Sequence, residues 1–297
     1  MRVDKERLSF FCIVNKGSGS EGTDLVGMIE EYFKDGRHQL HLFELDRNYA
    51  PAEISEKIKR SGAGRVIAAG GDGTVKLAAE CLLESKLPLA ILPAGSANGM
   101  ARDLGIPEDI NAALDIAVTG VPTLVHAVSV NGELCIHLAD LGFNAFLVKT
   151  FDSLSHRGML GYAKAGLHAL WNHRKMDVEL IMAEGRVTSE AAMVVIANAT
   201  MYGTGVKVNP LGKLTDDLFE VVLVKEYSLM EVLKMRFTHK GFNPKKVEFF
   251  QTQQLNIRSK HKAHLQVDGE YLGKVKSLEA QILPSAIQLI LPPGGVD

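Results

Sequence analysis

Residues Arg65–Thr74 read RVIAAGGDGT, and this stretch decides the fold. Arg65–Ala69 is a short apolar run that reads as a buried strand. Gly70-Gly71-Asp72-Gly73 follows, and Thr74–Leu83 then carries helical spacing. A strand that passes through a glycine-rich turn into a helix is a building unit of a parallel sheet. The glycines admit positive φ and let backbone N–H groups approach an anion closely. The helix start behind them offers free amides to a phosphate. Asp72 is the odd member, because a carboxylate repels phosphate unless a Mg²⁺ bridges the two. The same residues also fit a plain tight βα turn with Asp72 as helix cap.

The flanking sequence repeats the alternation. Leu8–Asn15 (LSFFCIVN) and Leu87–Leu92 (LPLAIL) read as buried strands, and Gln39–Leu45 as a half-buried one. Thr23–Phe33, Ala52–Arg60 with Pro51 in its first turn, and Ser96–Leu104 read as helices. This order predicts an α/β domain with a Rossmann-like parallel sheet and helices on its faces. Ligands of such sheets bind at the carboxyl ends of the strands. Three glycine-bearing loops fall there: Lys16–Ser20, Gly70–Gly73 and Ala94–Gly99. In the last, Gly95 and Ser96 mark a strand-to-helix junction, where Ser96 would cap the helix or touch a phosphate oxygen. Asn98 would bond a ligand or another loop. The Asn15-Lys16-Gly17-Ser18-Gly19-Ser20 loop fits a phosphate contact and equally a solvated turn.

After Pro122 the character changes. Val125–Val130, Glu133–Ala139, Asp177–Met182, Ala191–Ala197, Phe219–Val224, Val247–Ile257, Ala263–Val267 and Ser277–Leu283 read as strands, interrupted by helical stretches at Leu160–Trp171 and Ser228–Phe237. The expectation is a β-rich antiparallel sandwich. We therefore expect an α/β domain over 1–125 and a β-rich domain over 126–297, the last residues being able to return to the first domain.

Composition sets outer limits. Of 297 residues, 46% are hydrophobic, which excludes a disordered chain. With 33 basic against 35 acidic residues, bulk charge excludes a nucleic-acid binder held by basicity alone. No charge-free apolar stretch of about 18 residues occurs, so no spanning helix is expected. The start MRVDKERLSF lacks the apolar core of a secretory signal. Cys12, Cys81 and Cys135 fit neither a disulfide framework nor a zinc pattern, which suits a cytoplasmic setting. The charge is uneven: net −4 over 1–125 and net +2 over 126–297. An acidic first half needs a cation to receive a phosphate.

Taken in order, the motifs resemble the diacylglycerol kinase catalytic family, which includes sphingosine and ceramide kinases and bacterial soluble lipid kinases. Asn15–Gly19 is similar to its Asn-Pro-x-Ser-Gly loop, Gly70–Thr74 to its GGDGT signature, and Leu92–Arg102 to its Pro-x-Gly-Thr-x-Asn-Asp-x-Ala-Arg segment. Arg157–Tyr162, Asn198 with Tyr202–Gly205 and Asn209-Pro210, and Val267-Asp268-Gly269-Glu270 continue the series to about residue 290. The resemblance implies ATP-dependent phosphorylation of a lipid hydroxyl in a cleft between the domains. By it, Asn15, Ser18, Gly19, Gly70, Gly71, Gly73, Thr74, Gly95, Ser96 and Asn98 would bind ATP. Asp72 would act with Mg²⁺, Asp268 would be the general base, and Glu270 would help bind magnesium or orient the phosphates. In Lys213–Leu218, the carbonyls of Lys213 and Leu218 and the Asp216 carboxylate would hold a structural Mg²⁺ or Ca²⁺. Without the family, Asp268-Gly269 reads first as a hairpin turn, and Lys213–Leu218 equally as a plain turn.

The chain departs from the family at Lys76 and Leu77, which stand for Asn-Glu, at Gly99 and Asn144, which stand for Asp, and at Asp217, which stands for Gly. A NAD kinase, which shares GGDGT, and a non-catalytic lipid- or nucleotide-binding protein stay open as alternatives. A phosphofructokinase-type sugar kinase is weaker, lacking the β-rich second half. A lipid substrate implies a transient membrane surface and a cytoplasmic protein peripheral to it. Basic residues beside the Leu160–Trp171 and Ser228–Phe237 helices suit that surface, although both helices also read as plain cover for the sheet. A homodimer is a further open expectation.

Overall fold

The computed structural model describes residues 7–17, 24–45, 50–83, 85–142, 145, 175–199, 201–202, 206–207, 212–226 and 246–294. The chain divides into two compact units, Met1–Val125 with Ser285–Asp297, and His126–Pro284.

In the first unit the elements run β1 (Ser9–Val14), α1 (Leu25–Phe33), β2 (Gln39–Glu44), α2 (Pro51–Ser61), β3 (Arg65–Gly70), α3 (Asp72–Leu82), β4 (Leu89–Pro93), α4 (Gly99–Asp103), α5 (Ile110–Thr119) and the start of β5 (Val121–Val130). β1 lies between β2 and β3, and β4 follows β3, all parallel. Parallel strands covered on both faces read as unbroken apolar runs. Accordingly β1, β3 and β4 are buried almost throughout, whereas β2 is only half-buried. The helices pack stripes onto this sheet: Leu25, Ile29 and Phe33 from α1, and Ile54 and Ile58 from α2. Fully burying each such side chain is worth about 1.5–3 kcal/mol.

The helix expected at Ser96–Leu104 is shorter and starts three residues later, at Gly99. The sequence reading also missed α5, whose Asp109 carboxylate accepts the Ala112 amide as a cap. Its end packs close to the returning chain. A Cβ on Gly120 would lie 2.6 Å from the Leu291 carbonyl oxygen.

In the second unit follow β6 (Glu133–Cys135), β7 (Leu138–Gly142), β8 (Met176–Met182), β9 (Gly185–Ala191), β10 (Met193–Ala197), β11 (Met201–Tyr202), β12 (Val206–Lys207), β13 (Phe219–Val224), β14 (Val247–Thr252), β15 (Gln254–Val267) and β16 (Glu270–Leu291). Pairing is antiparallel in the order β14–β13–β10–β7–β15. β15 uses its two ends differently. Leu255–Ser259 pairs with β8, whereas Leu265–Val267 pairs with β7. A register shift between Arg258 and Ala263 separates the two ends. Such a bulge bends a strand so that it can serve two layers. Val194, Ile196, Phe219 and Leu223 share the core with Leu180, Leu255, Ile257 and Leu278.

Two sequence-based strands are broken here and one strand is new. Glu133–Ala139 is two strands broken at Ile136-His137, Val247–Ile257 is broken at Gln253, and β9 was not foreseen. Ala263–Val267 and Ser277–Leu283 are parts of the longer β15 and β16. The helical stretches Leu160–Trp171 and Ser228–Phe237 lie outside the described residues, as do Arg157–Tyr162, Gly203–Gly205 and Asn209-Pro210.

Candidate active site

The carboxyl ends of β1, β3 and β4 lie side by side, so their loops meet. Asn15, next after β1, donates its backbone amide to the Ala69 carbonyl at 3.0 Å. Its side-chain amide reaches Thr74 Oγ1 at 3.3 Å, and its Oδ1 accepts the Gly17 amide at 3.0 Å. The loop after β4 is tied in by the Ala94 amide, which donates to the Gly70 carbonyl at 2.9 Å.

Close contact explains two of the glycines. A Cβ on Gly95 would fall 2.4 Å from the Gly71 Cα, and one on Gly70 would fall 2.3 Å from Thr74 Oγ1. Gly73 differs: a Cβ there would meet nothing within 4 Å. The Thr74 amide donates to the Gly71 carbonyl at 2.9 Å, which leaves those of Asp72 and Gly73 as the first amides of α3 without an acceptor in the helix, and the space beside Gly73 is open.

Asp72 does not cap its own helix. Its two carboxylate oxygens accept the amides of Gly99 and Met100, at 3.0 and 3.1 Å, and so cap α4. Ser96, expected as the α4 cap, is exposed and outside the helix. Asn98 precedes the helix with φ +50°, and its side chain closes on Gly95 from both sides, accepting the amide at 2.8 Å and donating to the carbonyl at 2.9 Å. Each Asp72 oxygen takes one amide and keeps a lone pair, so the carboxylate still fits a divalent cation. Lys76, in place of Asn, is buried. Ser18, Gly19 and Asn144 lie outside the described residues.

In the second unit Asp268 and Gly269 form the two-residue turn between β15 and β16. Their φ values of +50° and +87°, with Val267 opposite Glu270, are those of a type I′ hairpin. The hairpin reading therefore holds, and the side chain does something further. Its Oδ2 accepts the Ile136 amide at 2.9 Å, and its Oδ1 accepts those of His137 and Leu138 at 2.9 and 3.0 Å. Burial pushes the Asp268 carboxyl up, and the three amides and His137 pull it back without cancelling that shift. Oδ2 keeps a lone pair on a carboxylate of raised basicity. Glu270, one residue past the turn, is exposed.

Two residues the sequence reading passed over hold this turn. Asp140 on β7 is completely buried. Its Oδ1 accepts the Ala145 amide at 2.8 Å, and its Oδ2 accepts from the Gln266 side chain. Gln266 Oε1 in turn accepts the Gly269 amide at 2.7 Å. A lone carboxylate inside the apolar run Leu138–Leu141 was the available signal. Asn198 supports the opposite side by donating from Nδ2 to the Ile136 carbonyl at 2.8 Å.

The Lys213–Leu218 loop meets β5, where the His126 amide donates to the Leu214 carbonyl at 2.9 Å. Asp216 Oδ1 is buried without a hydrogen-bond partner. An orphaned carboxylate oxygen suits a hard cation. Burial lowers the pKa of His126, and Asp216 and Asp217 oppose that shift. Among the described residues, no three His, Cys, Asp or Glu side chains cluster as a metal site, so a cation here would rely on carbonyls with Asp216.

Comparison with known proteins agrees with these units. Residues 9–130 match the diacylglycerol kinase catalytic domain, and residues 139–291 match the YegS C-terminal NAD kinase beta sandwich-like domain. A Chromohalobacter salexigens protein named "Probable lipid kinase YegS-like" is 29% identical over 81% of this chain and 80% of its own. The Bacillus subtilis diacylglycerol kinase is 29% identical over 70% of this chain and 71% of its own. In fold, a crystal structure of a diacylglycerol kinase from Bacillus anthracis superposes with a TM-score of 0.72 at 19% identity, covering 96% of this chain and 97% of that one.

Proposed function

This chain belongs to the diacylglycerol kinase catalytic-domain family, and from that premise we propose that it is an ATP- and Mg²⁺-dependent lipid kinase. It transfers the γ-phosphate to a hydroxyl of a lipid such as diacylglycerol. The observation that carries the reading is the meeting of three glycine loops at the carboxyl ends of β1, β3 and β4, with the first amides of α3 beside the open side of Gly73. Phosphoryl transfer needs positioning, charge neutralisation and one base near the nucleophile. Residues 1–125 supply the first, with Asn15, Ser18, Gly19, Gly70, Gly71, Gly73, Thr74, Gly95, Ser96 and Asn98 as the ATP-binding set. Asp72 would hold a Mg²⁺ that supplies the second, and Glu270 would help bind magnesium or orient the phosphates. Asp268, of raised basicity and with a free lone pair on Oδ2, takes the hydroxyl proton. The β-rich residues 126–297 receive the lipid, and the protein works at the cytoplasmic face of a membrane.

The experiment is transfer of labelled phosphate from ATP to a total lipid extract, with NAD as the competing acceptor and the product identified by mass spectrometry. A labelled lipid that disappears with Asp72→Ala and with Asp268→Ala supports the assignment. Labelled NADP with unlabelled lipid overturns it. A second reading, nucleotide binding without turnover, is favoured by one feature: Gly99 and Lys76 stand where the family carries Asp and Asn, and the Gly99 amide itself occupies Asp72. That reading requires ATP binding with no product on any lipid, unchanged by Asp268→Asn.

A further inference from the structure

We propose that the β15–β16 hairpin is the face by which this chain docks on an anionic lipid bilayer. The proposal rests on the lipid-kinase reading and names the surface that reading leaves open.

The register decides which side chains share the face. Ala263 pairs with Val275, and both contribute to the core. Strand side chains alternate between faces. His264, which pairs with Lys274, therefore points the other way. Lys276, two residues from Lys274, shares its side, while Lys262 and Leu272 flank them at the two register shifts of the hairpin. Lys262, Lys274 and Lys276 are exposed, and Leu272 is 37% exposed, one of few large apolar side chains in that state.

Their charges are unanswered. Lys175, Arg186, Lys225, Lys246, Arg258 and Lys260 each have a carboxylate within 4.0 Å. Among the described residues, none stands at that distance from Lys262, Lys274 or Lys276. Lys274 and Lys276 lie two residues apart on one strand and repel one another, a cost in the free protein that an anionic partner removes.

The shape selects the partner. The three lysines are exposed, and the buried Gln266, two residues from His264, is engaged by Asp140 and the Gly269 amide and so makes no pocket for a free anion. An exposed leucine among lysines suits the headgroup boundary of a bilayer, where aliphatic and cationic groups are both satisfied. Among the described residues no helix is long and apolar enough to cross a membrane. The Asp268–Glu270 turn sits at the tip of this same hairpin, and docking through its face brings the turn to the headgroups.

The test measures sedimentation of the full chain, without ATP, on phosphatidylcholine vesicles and on mixed phosphatidylcholine–phosphatidylserine vesicles. Each lysine near an anionic surface adds about a factor of five, so Lys262→Gln/Lys274→Gln/Lys276→Gln should weaken binding to the mixed vesicles about a hundredfold. Added salt should weaken the native chain in the same way. Leu272→Ser should weaken it further without changing the salt dependence. Equal binding of native and triple-variant chains to the mixed vesicles overturns the proposal. So does equal binding of the native chain to both vesicle types, as lysines that merely solubilise a strand would give. Displacement by inorganic phosphate at constant ionic strength also overturns it, because that marks a pocket for the free ion. The triple variant should phosphorylate a dispersed short-chain acceptor at the native rate. A chain that docks as described and phosphorylates no lipid would refute the kinase reading and leave the docking face standing.

Discussion

The chain of hydrogen bonds from Asp140 through Gln266 to the Gly269 amide makes a sharp prediction, because its polarity runs one way. A carboxylate only accepts and a backbone N–H only donates, so the Gln266 amide between them has one satisfactory orientation. Asp140→Asn removes that consistency. If the new Oδ1 keeps the Ala145 amide, its NH₂ faces the Gln266 NH₂. Flipping Gln266 only moves the donor–donor contact to Gly269. One buried donor pair is left unsatisfied either way, at a cost of about 2 kcal/mol, or about 4–8 °C in the Tm of a unit this size. Gln266→Glu alone sets two buried carboxylates together, so one must take a proton, and its defect should shrink in acid. The double variant restores the polarity: the new asparagine donates to the new glutamate, whose other oxygen accepts the Gly269 amide. We expect Asp140→Asn/Gln266→Glu to return to within about 1 kcal/mol of the native chain. Calorimetry reads the stability, and hydrogen exchange of the Gly269 amide reads the turn directly. Additive single-variant losses, with Gly269 no better protected in the double variant than in Asp140→Asn, would refute the reasoning.

Three further outcomes follow from the same geometry. Gly95→Ala drives a Cβ into the Gly71 Cα and must part the two loops, so it should cost about 1–3 kcal/mol and weaken ATP binding, read by melting and nucleotide titration. The raised pKa of Asp268 moves the acid limb of turnover above the ordinary carboxylate range, since the base works only ionised; the folded chain also holds a proton there that the unfolded chain has shed, so this group's contribution to stability is full below the unfolded pKa and declines as pH rises through the folded one. An acid limb unmoved by Asp268→Asn in residual turnover would remove the base assignment. Chelation of divalent cations should lower the Tm of the native chain and leave Asp216→Ala unchanged, whereas equal shifts in both would place the cation elsewhere.

Local pattern carried the first unit further than the second. β1, β3 and β4 were readable because a doubly covered parallel strand is a continuous apolar run. Helix α5 carried its own signals, Asp109 before and Gly120 after, and was still passed over. In β15 the apolar pattern fails between Arg258 and Ala263, where three exposed polar residues occupy the bulge, so one strand read as two. β9 alternates with few apolar residues, because it has one partner strand and half its side chains face water. The support of Asp268 was not readable at all: Ile136, His137 and Leu138 lie more than a hundred residues away, and they contribute backbone amides that any sequence possesses.

The two readings of the GGDGT stretch, an anion cradle with Asp72 on magnesium or a turn with Asp72 capping its own helix, looked like rivals because they gave Asp72 different partners. The hydrogen bonds separate them. Asp72 caps α4, which begins 27 residues further on, and so leaves the first amides of α3 uncapped. A carboxylate turned toward another helix start is partly neutralised there, and it no longer opposes an anion at the α3 amides. The same bonds account for the pairing of glycines: Asp72 reaches Gly99 and Met100 only if the two loops touch, and they touch only because Gly71 and Gly95 carry no Cβ between them. The cradle and the cap are thus one arrangement, and the residue that seemed out of place in the motif is the one that joins it to the next.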